Sequence, residues 1–251
     1  MSASKPRVVA VTGGTRGIGR SIAELFLERG AAVAVCARSP GDVSLPGEIF
    51  YASVDVRDRP AVQQFAQAVC DRFGSLDVFV NCAGVSRWRT IEHIDEPFIE
   101  DIIGTSVLGT LWGCAAAARA LTHGGCIVNV SSLAGKRGSA NNSAYCAAKF
   151  AVNGMTQALA KELGPRGIRV NAVCPVYVPT EHIRTALVEP DAPAHGQGVE
   201  AYWTSFAATQ TALGRLPSAT EVAEAVHFLA SASASGITGQ CLNVDCGTLP
   251  Q

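Results

Sequence analysis

The run V-V-A-V-T-G-G-T-R-G-I-G at residues 8–19 passes from strand to glycine turn to helix, and that order leaves few folds open. Residues 7–11 are β-rich. Residues 17–29 form an amphipathic helical pattern with Ile18, Ile22, Leu25 and Phe26 on one side. Gly13, Gly17 and Gly19 between them give a G-x-x-x-G-x-G spacing. Glycine permits a tight turn and lets the backbone approach a pyrophosphate, while the N–H groups of the following helix face the anion. In this position the turn predicts a dinucleotide site.

The alternation continues to the end of the chain. Residues 32–36, 49–54, 78–81, 126–130, 169–173 and 240–244 read as further strands; 59–73, 97–121, 143–164 and 221–230 read as helices. A polar Pro/Gly loop is expected after the second strand. The strands are rich in Val and Ile without alternation, as strands covered on both faces are. The β-α-β-α order then predicts an α/β fold, a doubly wound (Rossmann-type) parallel sheet of about seven strands with helices on both faces. No linker or repeat divides residues 1–251, so one domain is expected. Residues 179–214, with E-P-D-A-P-A-H-G-Q-G at 189–198, break any period and read as an irregular segment: a substrate loop or lid, or surface decoration.

With 48% hydrophobic and 16% charged residues the chain can bury a large core. A net charge of −1 without basic tracts argues against nucleic acid or an anionic membrane as partner. The N-terminus lacks signal-peptide organisation, and apolar runs such as 31–37 are far shorter than the ~20 residues that span a bilayer. The nine cysteines include no C-x-x-C pair, which fits reduced, buried thiols in a cytoplasmic protein.

Tyr145 and Lys149 stand four residues apart in S-A-Y-C-A-A-K, on one face of a helix and ~5–6 Å apart at Cβ. A fixed ammonium favours the phenolate and draws a phenol down from about 10, so Tyr145 is a candidate proton donor and acceptor. Cys146 points about 100° away around the helix and reads as a packing residue. The second strand ends Cys36-Ala37-Arg38, without the carboxylate that bonds a ribose 2′-hydroxyl in NAD sites. Arg38, with Arg16 in the glycine turn, suits a 2′-phosphate instead, so NADP(H) is preferred over NAD(H).

Taken together these motifs identify the chain as similar to the short-chain dehydrogenase/reductase family over nearly its whole length. T-G-G-T-R-G-I-G at 12–19 resembles the family's coenzyme turn, adding Thr15 and Ile18 to the cofactor set; Asp55-Val56 resembles the pair at the adenine. N-C-A-G, with Asn81, Ala83 and Gly84, resembles the N-N-A-G that supports the sheet and lines the adenosine ribose. In I-V-N-V-S-S the residue thirteen before Tyr145 is Ser132, the family's substrate-orienting serine. The resemblance implies that Ser132 bonds the substrate oxygen, Tyr145 moves its proton, and Lys149 holds the nicotinamide ribose. It also implies that Pro175, Val178 and Thr180 lie at the nicotinamide. Ser106 stands where the family has an asparagine in its proton relay, Val176 where it has the glycine of P-G, and Cys246 where it has the first glycine after the C-terminal aspartate.

The implied activity is NADP(H)-dependent interconversion of a ketone and a secondary alcohol. The alternative is a catalytically impaired module that senses NADP(H). An epimerase or dehydratase would need a further C-terminal substrate domain, for which little chain remains. Relatives pair through the two long helices and the C-terminal region, so a homotetramer or homodimer is expected; the small-residue run 113–118 suits either such packing or the chain's own sheet. Tyr202, Trp203 and Phe206 favour a ring-bearing or apolar small-molecule substrate, or pack the lid on the core. His182 and His195 are expected in solvent, and no spacing indicates a metal site.

Overall fold

Strands that are apolar at every position require cover on both faces, and the computed structural model, which describes residues 5–39, 49–122 and 124–250, supplies it. Every residue of β1 (Val8–Thr12) and β4 (Val78–Asn81) is buried. With β2 (Ala32–Ala37), β3 (Ile49–Ser53), β5 (Gly125–Val130), β6 (Ile168–Pro175) and β7 (Cys241–Val244) they form a seven-stranded sheet in the order β3-β2-β1-β4-β5-β6-β7. All pairings are parallel. The loop expected after β2 lies at 40–48, outside the described residues.

Helices α1 (Gly17–Glu28) and α8 (Ala219–Ala230) cover one face through Ile22, Phe26, Val222 and Val226. Helices α2 (Arg59–Phe73), α4 (Gly109–Ala120) and α5 (Ser143–Leu163) cover the other, over Phe65, Phe79, Ile127 and Leu163. Burying each such large side chain contributes about 1.5–3 kcal/mol. The strand order reverses between β1 and β4, so connections leave to opposite faces there and a crevice opens at the carboxyl ends of the strands.

Local chemistry sets the helix ends. The Asp58 carboxylate accepts from Ala61 N at 3.2 Å, Pro60 occupies the first turn, and Gly74 closes α2 at φ 80°. At α8 a capping box between Ser218 and Glu221 starts the helix at Ala219, two residues before the expected boundary. Arg215 also bonds Glu221 and, with that cap, holds its carboxyl down at about 2.

The long helix expected at 97–121 is two helices, α3 (Glu96–Ile103) and α4, joined by a π-turn at Gly104–Leu108. The whole stretch Glu96–Ala120 is long and apolar enough to cross a membrane by length and composition alone, unlike the short runs weighed from sequence. Here Ile102, Cys114 and Ala117 are fully packed against the rest of the protein.

Residues 179–214 are more regular than expected. They hold α6 (Glu181–Leu187) and α7 (Val199–Gln210), with the Pro/Gly-rich stretch confined between them. Val199, Tyr202, Trp203, Phe206 and Ala207 recur at helical spacing, and the prolines and glycines before them hid that period. Trp203, Trp88, Leu187 and Ala194 form a separate small core beneath.

A buried polar chain ties the centre of the sheet to its helices. Asn81 Nδ2 donates to Asn129 Oδ1 (2.9 Å), and Asn129 Nδ2 donates to Thr156 Oγ1 on α5 (2.9 Å). Gly113 of α4 sits directly on this chain: a Cβ there would overlap Asn81 Oδ1, so this part of the small-residue run faces its own sheet. Gly113→Ala is expected to lower stability by about 1–3 kcal/mol, read from urea unfolding. An unchanged midpoint would show that α4 does not depend on this close approach.

Candidate active site

The carboxyl ends of the strands open into a cavity of about 1000 Å³. Its floor at one end is the glycine turn. Gly13 takes φ 67° and donates its N–H to Cys36 O at 2.7 Å; Thr12 Oγ1 accepts from Cys82 N and Ala83 N, both at 3.1 Å. The turn between β1 and α1 is thereby fixed to the loop after β4. A Cβ on Gly19 would overlap the Gly13 carbonyl oxygen, so only glycine lets α1 begin this close to the turn. No side chain caps the start of α1, which leaves its first N–H groups to meet an anion.

Arg16 and Arg38 line this end of the cavity and are exposed. Among the described residues neither guanidinium has a hydrogen-bond acceptor or an ion-pair partner. Asp55 and Val56 close the wall beside them. The Asp55 carboxylate is engaged by Arg57 at 2.5 Å, and that bond holds its carboxyl below the usual carboxylate range.

At the opposite end Tyr145 and Lys149 project from the first turns of α5. Lys149 is only 5% exposed; its Nζ donates to Val130 O at 2.9 Å and lies 5.6 Å from the centre of the Tyr145 ring. Ser131 Oγ donates to Lys149 O (3.3 Å), and Asn153 Nδ2 donates to Gly135 O (2.9 Å), so α5 is held to the segment after β5 from several positions. Ser132 heads the 3-10 turn Leu133–Gly135 and its Oγ accepts from Ala134 N at 3.1 Å.

Of the residues expected at the site, Gly13, Thr15, Arg16, Gly17, Ile18, Gly19, Arg38, Asp55, Val56, Ala83, Gly84, Ser132, Tyr145, Lys149, Pro175, Val178 and Thr180 all line the cavity. Thr180 lies over Gly17, at 3.4 Å from where its Cβ would be, so the segment after β6 folds onto the glycine turn. Two residues do not reach the wall. Asn81 points from β4 toward α4, bonded to Cys114 of that helix and to Asn129 of β5, and its side chain supports the sheet. Ser106 is fully buried in the π-turn, behind Gly84: a Cβ at Gly84 would lie 3.6 Å from Lys149 Nζ and 3.9 Å from Ser106 Oγ. The Ser106 hydroxyl has no hydrogen-bond partner among the described residues.

The site also contains residues that the sequence reading did not place there. Tyr177 and Trp88 wall the cavity near Tyr145 together with Tyr202 and Phe206; Tyr177 lies 5.0 Å from Phe206 and 5.6 Å from Tyr202, ring centre to ring centre. Burial pushes the Tyr177 phenol up. Of the aromatics read from sequence, Tyr202 and Phe206 face the cavity and Trp203 packs inward. Arg137 lines the same end. Thr12, Asn153 and Thr156 were legible as polar interruptions of apolar faces, the last two at four and seven residues beyond Lys149. His182 corrects its solvent assignment: α6 folds it over the cavity, its Nε2 is buried without a partner among the described residues, and burial, with Arg16 nearby, lowers its pKa. His195 is exposed. All nine cysteines are free, and burial pushes the thiols of Cys36, Cys82 and Cys114 up to about 12.

A cavity with a glycine turn at one end and a tyrosine–lysine helix face at the other defines an oxidoreductase of the nicotinamide-dependent kind, and the comparisons agree. A family profile described as enoyl-(acyl carrier protein) reductase matches residues 13–248. The chain is 39% identical to a candidate ketoacyl reductase of the monensin polyketide synthase from Streptomyces virginiae, over 99% of each protein. It is 37% identical to an (S)-acetoin-forming diacetyl reductase of Staphylococcus aureus, over 96% of this chain and 97% of that one. The ligand-free structure of Thermoplasma acidophilum aldohexose dehydrogenase superposes with a TM-score of 0.88 at 31% identity, covering 98% of each chain. The chain belongs to the short-chain dehydrogenase/reductase family.

Gly19→Ala is expected to weaken nicotinamide nucleotide binding ~10–100-fold, the equivalent of a ~1–3 kcal/mol clash, in a fluorescence titration. Unaltered binding would show that α1 shifts without moving the turn.

Proposed function

We propose that the protein is an NADP(H)-dependent oxidoreductase that interconverts a small-molecule ketone and secondary alcohol, with Tyr145 as acid and base. The observation that carries this reading is the convergence of Ser132, Tyr145 and the buried Lys149 on one end of a cavity whose other end is a glycine turn. The residues fit a dinucleotide: Gly13 and Gly19 let the turn pack on Ala83 and on itself where a Cβ would clash, no side chain caps the start of α1, and Arg16 and Arg38 offer two guanidinium groups that are unengaged among the described residues where the second strand carries no carboxylate. NADPH, when bound, supplies the hydride.

In the reducing direction Ser132 and Tyr145 hydrogen-bond the carbonyl oxygen and fix it at the tyrosine hydroxyl. As the carbonyl carbon becomes tetrahedral, the Tyr145 proton passes to that oxygen. Lys149 stabilises the resulting phenolate by charge, and its position at the Val130 carbonyl leaves donors for ribose hydroxyls. Ser106, buried behind Gly84 with a hydroxyl unengaged among the described residues, suits a water that returns a proton toward Lys149, in the role the family gives to asparagine. Pro175, Val178 and Thr180 hold the nicotinamide end, Asp55 and Val56 the adenine end. Helices α6 and α7 form the substrate lid. The substitutions at Ser106 and Val176, which motivated a sensing role, leave the Ser132–Tyr145–Lys149 set in place.

We assign the active species to a homotetramer or homodimer in the cytoplasm. Leu108 at the end of the π-turn and Phe150 on α5, 40% and 49% exposed, are apolar surface that such pairing would cover, and nine free thiols suit a reducing compartment.

Tyr145→Phe is expected to lower kcat by ~10²–10⁴-fold while NADPH binding is retained, measured by nucleotide absorbance and titration. Appreciable turnover in that variant would remove the tyrosine mechanism. Arg38→Ser is expected to weaken NADPH ~10–100-fold and leave NADH binding in place, as loss of a charge-assisted phosphate contact does. Equal losses for both nucleotides would contradict the assignment of cofactor.

A further inference from the structure

The charge around the cavity is uneven. Among the described residues its lining contains a single carboxylate, Asp55, and Arg57 engages that one. Most arginines elsewhere are paired, as Arg87 is with Glu189 and Arg184 with Glu200. Arg16, Arg38 and Arg137 line the cavity without a hydrogen-bond acceptor or ion-pair partner for the guanidinium among the described residues. Two of them lie at the glycine-turn end, where the cofactor reading uses them. Arg137 stands at the other.

Its placement is fixed by the fold. Arg137 follows the 3-10 turn that begins at Ser132, and its N–H bonds Leu133 O at 3.1 Å. Its carbonyl lies 4.0 Å from the sulfur of Cys146, the neighbour of Tyr145. The side chain is half-buried, and its charge acts on the phenols of both Tyr177 and Tyr202, which burial keeps neutral. Among the described residues no anion satisfies it there. A half-buried guanidinium beside neutral phenols gains most from a planar oxyanion that it can bind in two-point fashion.

We propose that Arg137 is the specificity-determining residue for a carboxylate carried by the substrate, so that the enzyme acts on keto acids or hydroxy acids whose apolar body lies against Tyr177, Phe206 and Trp88. The proposal rests on the carbonyl–alcohol reading of the site and names its substrate class. The carboxylate sits at Arg137, the reacting oxygen at Ser132 and Tyr145, and the intervening skeleton spans the aromatic wall. Neutral ketones of the same shape lose the ionic contact and leave the guanidinium without a partner in the closed site.

Benzoylformate, 3-benzoylpropionate and 4-benzoylbutyrate, each beside its methyl ester, test this with the NADPH-loaded enzyme. At least one acid is expected to exceed its ester in kcat/KM, mainly through KM, and the acid-over-ester ratio is expected to fall ~10–100-fold in Arg137→Gln and to recover in part in Arg137→Lys. A merely structural role would lower acid and ester alike and leave the ratio unchanged. Titration of the same acids into the NADP⁺-loaded protein gives a second reading: tighter binding of an acid to wild type than to Arg137→Gln is expected. Esters equal to or better than acids, or acid binding indifferent to Arg137→Gln, would overturn the proposal. Acid binding that depends on Arg137 without turnover of any probe would instead count against the carbonyl–alcohol reading and leave the anion site standing.

Discussion

The site depends on a polar stripe along α5. Tyr145, Lys149, Asn153 and Thr156 recur at helical spacing on an otherwise small and apolar helix, and three of the four are fastened to the body of the protein. Lys149 meets the end of β5, Asn153 the turn after it, and Thr156 the buried Asn129 within the strand. An ammonium that is 5% exposed is costly to desolvate unless it is hydrogen-bonded, and the Val130 carbonyl fills that need from one side. The remaining donors of Lys149 are turned toward Gly84 and the cavity. Tyr145, the one member of the stripe with no side-chain hydrogen bond among the described residues, lines the cavity.

Topology places the rest. Because the sheet reverses order between β1 and β4, the chain leaves adjacent strands toward opposite faces and the crevice forms there without any dedicated element. Thr12 joins the two loops at that point, so the glycine turn and the N-C-A-G loop are tied together. The far wall comes from residues 179–214. There α6 brings Thr180 and His182 over the turn while α7 brings Tyr202 and Phe206 over the tyrosine. The cationic character of both ends, with aromatic rings along one side, is a property of the assembled cavity and of no single segment.

Much of this was legible in the residues, for identifiable reasons. Strands buried on both faces advertise themselves as continuous Val/Ile runs, and α2 could be bounded to the residue because Asp58, Pro60 and Gly74 each mark an end by local chemistry. The glycine turn, Tyr145 and Lys149 are close in sequence to the elements that orient them, so their spacing marked them, while Ser132 was selected by the family resemblance. What escaped depended on direction or on distant partners. Asn81 lies in a motif whose neighbours do line the cavity, but strand alternation turns its side chain to α4. The π-turn at Ser106 inserts no proline or glycine pair that would announce it, beyond the paired Gly104 and Gly109 at its margins. His182 looked solvated because its neighbours are polar; its burial comes from α6 closing on the opposite side of the crevice. Arg137 carries no motif, and its meaning comes from having no ion-pair partner among the described residues, the one carboxylate lining its cavity, Asp55, being engaged by Arg57.

Transfer of label tests the central claim most directly. The protein would be incubated with NADPH deuterated at nicotinamide C4, in separate reactions for each of the two ring faces, together with a mixture of ketones and keto acids, and the alcohols analysed by mass spectrometry. The account predicts deuterium at the carbinol carbon of at least one product, delivered from one face of the ring only. NADPH bound by the protein, with no deuterium in any alcohol from either label, would contradict it.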